Sequence, residues 1–179
     1  MKIVYDIYDS PIGPIHVVVD EIGVKEVFLF KEDWEDYLKE NADIKLDKQI
    51  CKDVIIQLDE YFKKERRNFD LPLSIEGTEF RIKVWNALRE IPYGEVRSYL
   101  QIAEAIGNPK AVRAVGQANK ANQLPIIIPC HRVIGKNGDL VGFAGDKTNV
   151  KRFLLGLEEA KDIVKIEGRH SDKLLGGNS

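Results

Sequence analysis

Four consecutive residues carry the most chemistry in this chain: Pro129, Cys130, His131 and Arg132, set between Ile126-Ile127-Ile128 and Val133-Ile134. A cysteine is a strong nucleophile only as thiolate, and imidazolium or guanidinium charge beside it favours that form. Pro129 fixes the backbone just before the thiol. An isolated free cysteine is more often a small buried hydrophobe than a reagent. An apolar run entering a Cys-His-Arg cluster is instead the pattern of a buried segment that delivers reactive atoms to a pocket. A glycine-rich stretch follows, with Gly135, Gly138, Gly142 and Gly145. It lacks the Gly-Lys-Ser/Thr ending and the Gly-x-Gly-x-x-Gly spacing of phosphate-binding loops, so it reads as a pocket wall.

The only other thiol, Cys51, lies off the main apolar row of its segment and reads as structural. Two cysteines so far apart form no disulfide framework and lack zinc-ligand spacing. His16, His131 and His170 do not cluster with Cys51, so no metal is expected. No cofactor is implied either. No stretch approaches the roughly 18 apolar residues of a membrane span, and the N-terminus shows no signal-peptide core. A working free thiol suits a reducing cytoplasm and no membrane partner. The 179 residues carry a net charge of −2, unevenly spread. Residues 1–73 hold 11 Lys/Arg against 17 Asp/Glu, whereas residues 97–136 hold 6 against 1. A basic patch on one domain fits a phosphate-bearing partner, and equally an uneven solvated surface.

The elements that must position these residues fall into two domains. Residues 3–9, 14–20 and 24–30 are β-rich and separated by Pro/Gly turns, which predicts an antiparallel meander. Residues 31–43 are a short helix or a loop. From Leu46 to about Arg66, Ile50, Val54, Leu58 and Tyr61/Phe62 recur on one helical face. Pro72 and Gly77 mark a linker. The first domain, 1–73, is therefore α/β, a small antiparallel sheet plus helix. The second, 74–165, is mostly α. Thr78 opens a helix with Phe80, Val84, Trp85 and Leu88. Ser98 caps a short helix that ends at Gly107-Asn108-Pro109, and Pro109 starts another running to about Asn119. Two short helices joined by a glycine-containing turn match a helix-turn-helix. The second is small-sided, with Ala111 and Ala114, and carries Lys110, Arg113 and Lys120. A last helix, from Lys147 to about Ala160, is expected to bury Val150, Phe153, Leu154 and Leu157, with Glu158 near its end. Ile166-Glu167-Gly168-Arg169 spells a protease-cleavage linker, so 166–179 reads as a vector-derived tail.

The second domain resembles the O6-alkylguanine-DNA alkyltransferases, or methylated-DNA–protein-cysteine methyltransferases. The resemblance rests on Pro129-Cys130-His131-Arg132-Val133, backed by Tyr93-Gly94-Glu95-Val96-Arg97-Ser98-Tyr99, Gly107 to Gly116, Ala121-Asn122 and Gly142-Phe143-Ala144-Gly145. It implies a ribonuclease-H-like first domain. It also implies repair by one-way transfer of an alkyl group from O6-alkylguanine, and from O4-alkylthymine, to the protein's own thiolate. The base would be flipped out of duplex DNA, as chemistry on a stacked base requires. By resemblance Cys130 is the acceptor, His131 a base acting through water, and Glu158 the group that orients it. Asn122 holds the cysteine loop. The main-chain oxygens of Cys130 and Val133 read the guanine amine, and the Ala144 N–H meets O6. Tyr99 pushes the target phosphate and lines the pocket, and Arg113 fills the gap left by the flipped base. The small residues Ala111 and Ala114 let the second helix enter the minor groove. Asn108 and Arg81 are expected at the DNA backbone. A monomer is expected. Where the family often has Tyr and Ser, this chain has Phe143 and Ala144, so either another donor such as Tyr99 or water assists the leaving group or the step proceeds with less assistance.

Two other readings use the same residues. A helix-turn-helix regulator with a structural cysteine would need long side chains to read base edges, which the small-sided helix lacks. A Cys–His hydrolase would need an oxyanion hole. Adjacent Cys130 and His131 side chains point apart unless the backbone bends sharply, which favours a relay through water.

Overall fold

The computed structural model describes residues 2–135 and 146–160. The chain divides into two compact units: residues 1–78 with 122–127, and residues 79–121 with 128–179. The expectations for Phe143, Ala144, the glycine-rich stretch and the tail lie outside the described residues.

The first unit is the predicted meander. Strands β1 (Val4–Ser10), β2 (Gly13–Val19) and β3 (Val24–Phe28) pair antiparallel in sequence order. A two-residue strand, β4 (Lys45–Leu46), adds parallel to β1, giving the order β3-β2-β1-β4. Sequence periodicity does not reveal this strand, because two residues are too few to show alternation. Residues 31–43 resolve into helix α1 (Lys31–Glu40). Its one buried residue, Trp34, packs among Tyr5, His16, Phe28 and Tyr37.

Helix α2 (Lys52–Phe62) is shorter than the periodicity suggests. Asp47 Oδ1 accepts the Ile50 N–H at 3.0 Å and the Asp47 carbonyl accepts the Cys51 N–H at 3.2 Å. This turn consumes residues 47–51 before the helix begins, and the backbone then rotates Ile50 outward and Cys51 inward. Ile50 is 44% exposed, against expectation, and Cys51 is fully buried. Val54, Leu58, Tyr61 and Phe62 form the buried face as predicted.

The second unit is mostly helical. Helix α3 (Glu79–Arg89) buries Val84, Trp85 and Leu88. Strand β5 (Arg97–Ser98) leads into α4 (Tyr99–Ala105), and Ser98 and Gln101 form a reciprocal capping box at the junction. Gly107, at φ +77°, lets the chain leave α4 in a conformation that disfavours a side chain. The next helix, α5 (Val112–Lys120), starts three residues later than Pro109 suggests. The Ala111 N–H bonds the Asn108 carbonyl in a turn, and Ala111 takes the N-cap position. Helices α4 and α5 pack on α3, and Trp85 Nε1 donates to the Ala118 carbonyl at 2.8 Å. This arrangement fits the predicted helix-turn-helix. Among the described residues no helix is long and apolar enough to cross a membrane.

Helix α6 (Asp146–Leu157) buries Leu154 as predicted and leaves Val150 and Leu157 half-buried, but its inward face is turned away from Phe153. Leu154, Leu155 and Lys151 are buried, while Phe153 is 40% exposed. Ile134, Leu155 and Ala160 form a small core that Val96 covers.

Candidate active site

Cys130, His131 and Arg132 form a single 3₁₀ turn, all three buried. The approach to the turn is bent. Asn122 Oδ1 accepts the Leu124 N–H at 3.0 Å, and Ile126 sits at φ +73° while almost fully buried. A β-branched residue in that region costs about 1–3 kcal/mol and persists only where its surroundings enforce it. The turn exits through β6 (Val133–Ile134), which pairs in parallel with β5. Val133 pairs with Arg97 and Ser98 with Ile134, so the residue after the turn is tied to the residues before Tyr99. This clamp brings Tyr99 into the electrostatic reach of Cys130.

The 3₁₀ backbone supplies the bend that adjacent Cys and His side chains require. His131 Nε2 lies 2.6 Å from Glu158 Oε2. Arg132 donates twice to the same carboxylate, Nε to Oε1 at 2.7 Å and Nη2 to Oε2 at 3.1 Å. Its Nη1 donates to the Ile91 carbonyl at 2.8 Å, and its guanidinium lies over the Tyr93 ring. Gly94, at φ +80°, admits the Glu158 backbone, which would crowd a Cβ there.

The charges follow from these contacts. Burial works against the Glu158 charge, but His131 and Arg132 outweigh it and hold the carboxyl well below the usual range. Burial lowers the His131 pKa, Glu158 opposes that, and the charges of Arg132 and Lys151 reinforce it. The imidazole is therefore neutral near pH 7, and the permanently charged guanidinium of Arg132 keeps Glu158 ionised. A carboxylate can only accept, so Nε2 carries the imidazole proton and donates it to Glu158. That leaves Nδ1 as the basic nitrogen. It is buried and has no hydrogen-bond partner among the described residues. One side of the ring is oriented, and the other is open to accept a proton.

Sequence reasoning missed two further residues. Lys151 is 1% exposed, and burial pulls its pKa down to about 8 while the Cys130 charge pulls it back up. It is thus still mostly protonated near neutrality, in electrostatic contact with the sulfur and with His131. A lysine on a surface helix reads as solvated, but its seven-residue spacing from Glu158, two helical turns, was a signal that both face one way. Asn119, 2% exposed on α5, donates through Nδ2 to the Cys130 carbonyl at 3.5 Å and hydrogen-bonds Tyr99. Burial pushes the Tyr99 hydroxyl up to about 12, with the Cys130 charge adding to it, so Tyr99 remains a proton-bearing donor.

The remaining predicted residues are placed as follows. Arg113 and Ala114 lie exposed on α5, opposite the buried Val115, Ala118 and Asn119. Asn108 is exposed and Ala111 half-buried in the turn between α4 and α5. Arg81 is exposed on α3, and Val133 is fully buried in β6. Among the described residues no group of three or more His, Cys, Asp and Glu is arranged to hold a metal ion.

Known proteins match this arrangement over both units. Residues 79–160 fit the model of the 6-O-methylguanine DNA methyltransferase DNA-binding domain, and residues 3–75 fit that of the ribonuclease-like domain of the same family. The chain belongs to the 6-O-methylguanine DNA methyltransferase family. A relative in Bacillus subtilis, the constitutive methylated-DNA–protein-cysteine methyltransferase, is 51% identical over 86% of this chain and 94% of its own length. One from Methanosarcina acetivorans is 49% identical over 86% of this chain and 97% of its own. The crystal structure of Mycobacterium tuberculosis OGT in complex with DNA superposes with a TM-score of 0.77 at 40% identity, covering 90% of this chain and 98% of that one. The ribonuclease-like domain expected for the first unit is thereby established for this methyltransferase-family chain.

Proposed function

We infer that this protein repairs alkylated DNA by moving the alkyl group from O6-alkylguanine onto Cys130. The observation that carries the mechanism is the His131 ring: oriented on Glu158 through Nε2, with Nδ1 left basic and open beside a buried thiol. The Cys130 proton passes to His131 Nδ1 through a bridging water. The thiolate attacks the alkyl carbon, the carbon–O6 bond breaks, and a thioether forms. The proton returns from His131 to the departing guanine, so no outside reductant or co-reactant is consumed. A soft, strong nucleophile suits displacement at carbon, and a protonated leaving group suits departure of guanine. The thioether has no group that water can displace, so each molecule acts once.

The exposed face of α5, with Arg113 and Ala114, meets DNA through the minor groove. Arg113 enters the stack where the lesion base has left it, while Asn108 and Arg81 contact phosphates. By the family resemblance, Val133, Phe143 and Ala144 wall the base pocket. Tyr99, kept protonated by burial, donates to the departing base. Asn122 anchors the segment that carries Cys130. O4-alkylthymine is a second substrate, the protein works as a monomer, and a reducing cytoplasm keeps its thiol free.

The test uses duplex DNA in molar excess, carrying radiolabelled O6-methylguanine. Label should appear on protein up to one equivalent and then stop, and Cys130→Ala should abolish it. Continued turnover, or transfer by Cys130→Ala, would sink the reading.

A further inference from the structure

Asn119 joins Tyr99 to the turn that carries the acceptor thiol. Its side chain is 2% exposed, on the inner face of α5. The amide nitrogen has two hydrogens to give. One reaches the Cys130 carbonyl at 3.5 Å, a long contact for a hydrogen bond. The other serves Tyr99, the first residue of α4. Asn119 hydrogen-bonds Tyr99, yet its Oδ1 accepts nothing among the described residues, so that bond runs from Nδ2 to the tyrosyl oxygen. Reversing the amide would set two oxygens against each other at Cys130. The packing agrees. A Cβ at Gly116, one helical turn before Asn119, would lie 4.0 Å from Tyr99 Cε1, so the phenol ring lies along the face of α5 that carries Asn119.

A phenol O–H lies in the plane of its ring, because the oxygen conjugates with it. The proton therefore has two directions, one on each side of the C–O bond. The side that receives the Asn119 N–H must present a lone pair, so the proton takes the other side. We propose that Asn119 is a positioning residue for Tyr99: by donating to the tyrosyl oxygen, it turns the phenol proton away from α5 and toward the flipped base. The same donation makes the phenol a slightly stronger acid, against the burial that pushes its pKa up. The role gains weight in this chain, because the positions where the family often has hydroxyls hold Phe143 and Ala144. The base contacts expected of the Cys130 and Val133 main chain are untouched by it. The inference rests on the alkyl-acceptor function proposed above.

The measurement is a double-mutant cycle on single-turnover transfer from duplex DNA carrying O6-methylguanine. It compares the full chain as wild type, Asn119→Leu, Tyr99→Phe and the double variant. Asn119→Leu should slow the wild-type reaction by about tenfold, the worth of one buried hydrogen bond. Tyr99→Phe leaves no proton to orient, so in that background the same substitution should slow transfer by less than about twofold. Asn119→Ala should show the same coupling and, with a thermal melt for each variant, covers the case in which leucine does not pack. A merely structural amide would slow both backgrounds alike, which overturns the proposal. An unchanged rate in Asn119→Leu overturns it as well. So does transfer by Tyr99→Phe at the wild-type rate, because the hydroxyl would then contribute nothing; both results leave the acceptor function standing. No transfer by the wild-type protein removes the function and the inference together.

Discussion

The chain holds two buried cysteines in its two units, and their surroundings are opposite. Cys51 stands at the N-cap position of α2, where helix amides favour a thiolate. Burial nevertheless pushes it up to about 12, with the charges of Asp6 and Asp47 adding to the effect. Cys130 is also buried, but its neighbours are His131, Arg132 and the protonated Lys151. Burial by itself makes an inert thiol, and one helix terminus does not overcome two nearby carboxylates. A reactive thiol requires that the same burial be shared with cations. The ion pair of Arg132 with Glu158 then prevents that carboxylate from acting as a free negative charge.

The strongest way to break this contrast is to exchange the cysteines' fates. Cys130→Ser should reduce alkyl uptake to background, while Cys51→Ser should leave its stoichiometry unchanged. Glu158→Gln comes next. It strips His131 of its anchor and leaves the Arg132 guanidinium buried without its counter-charge. Loss of one partner from a buried pair costs about 3–5 kcal/mol, read as a lowered denaturant midpoint. The transfer rate should fall about 100-fold, as for loss of an oriented base. Lys151→Met should act more gently. Iodoacetamide labelling of Cys130 at neutral pH should slow, because a cation that favours the thiolate is gone. Labelling of Cys51 should not move, and an equal change at both thiols would sharpen nothing and contradict the assignment of Lys151.

The smallest effect is on the pH dependence of stability, and the two sites give it opposite signs. Glu158 and His131 have depressed folded pKa values. The unfolded chain therefore binds more protons in acid. Stability is complete above the unfolded His value of about 6.5, declines below it, and declines further below about 4.3 as Glu158 takes its share. Cys51 is raised instead, so its contribution is complete below the unfolded thiol value of about 8.5 and is lost as pH climbs toward about 12. Denaturant titrations across pH should show Glu158→Gln flattening the acid limb and Cys51→Ala flattening the alkaline one.

Much of this contrast is legible in the sequence, for reasons that differ by residue. Cys130 and His131 stand out because a thiol and an imidazole inside an apolar run allow few structures other than a reactive site, whereas Glu158 is singled out only by the family resemblance. The meander and the capping box at Ser98 follow from local rules of alternation and capping. Local rules also mislead where a turn intervenes. Asp47 consumes the residues that would have begun α2, and so reverses the places of Ile50 and Cys51. Pro109 is a good first helical residue, yet the turn at Asn108–Ala111 delays α5 to Val112. Lys151 and Asn119 escape notice because a polar side chain on an amphipathic helix is ordinarily solvated. Their burial is decided by which face of α6 and α5 meets the 3₁₀ turn, a tertiary fact with no local signature. Arg132 reads as a cation beside the thiol, but its main contacts are with Glu158 and the Ile91 carbonyl.

The central claim is that one of two buried thiols, and only that one, is the single-use acceptor. It is tested by treating the wild-type protein with excess duplex containing O6-methylguanine, digesting it, and measuring the masses of the two cysteine-bearing peptides. The account predicts one added methyl group on the Cys130 peptide, complete at one equivalent, and an unmodified Cys51 peptide. A methyl group on Cys51, or an unmodified Cys130 peptide from DNA that has lost its lesion, would contradict it.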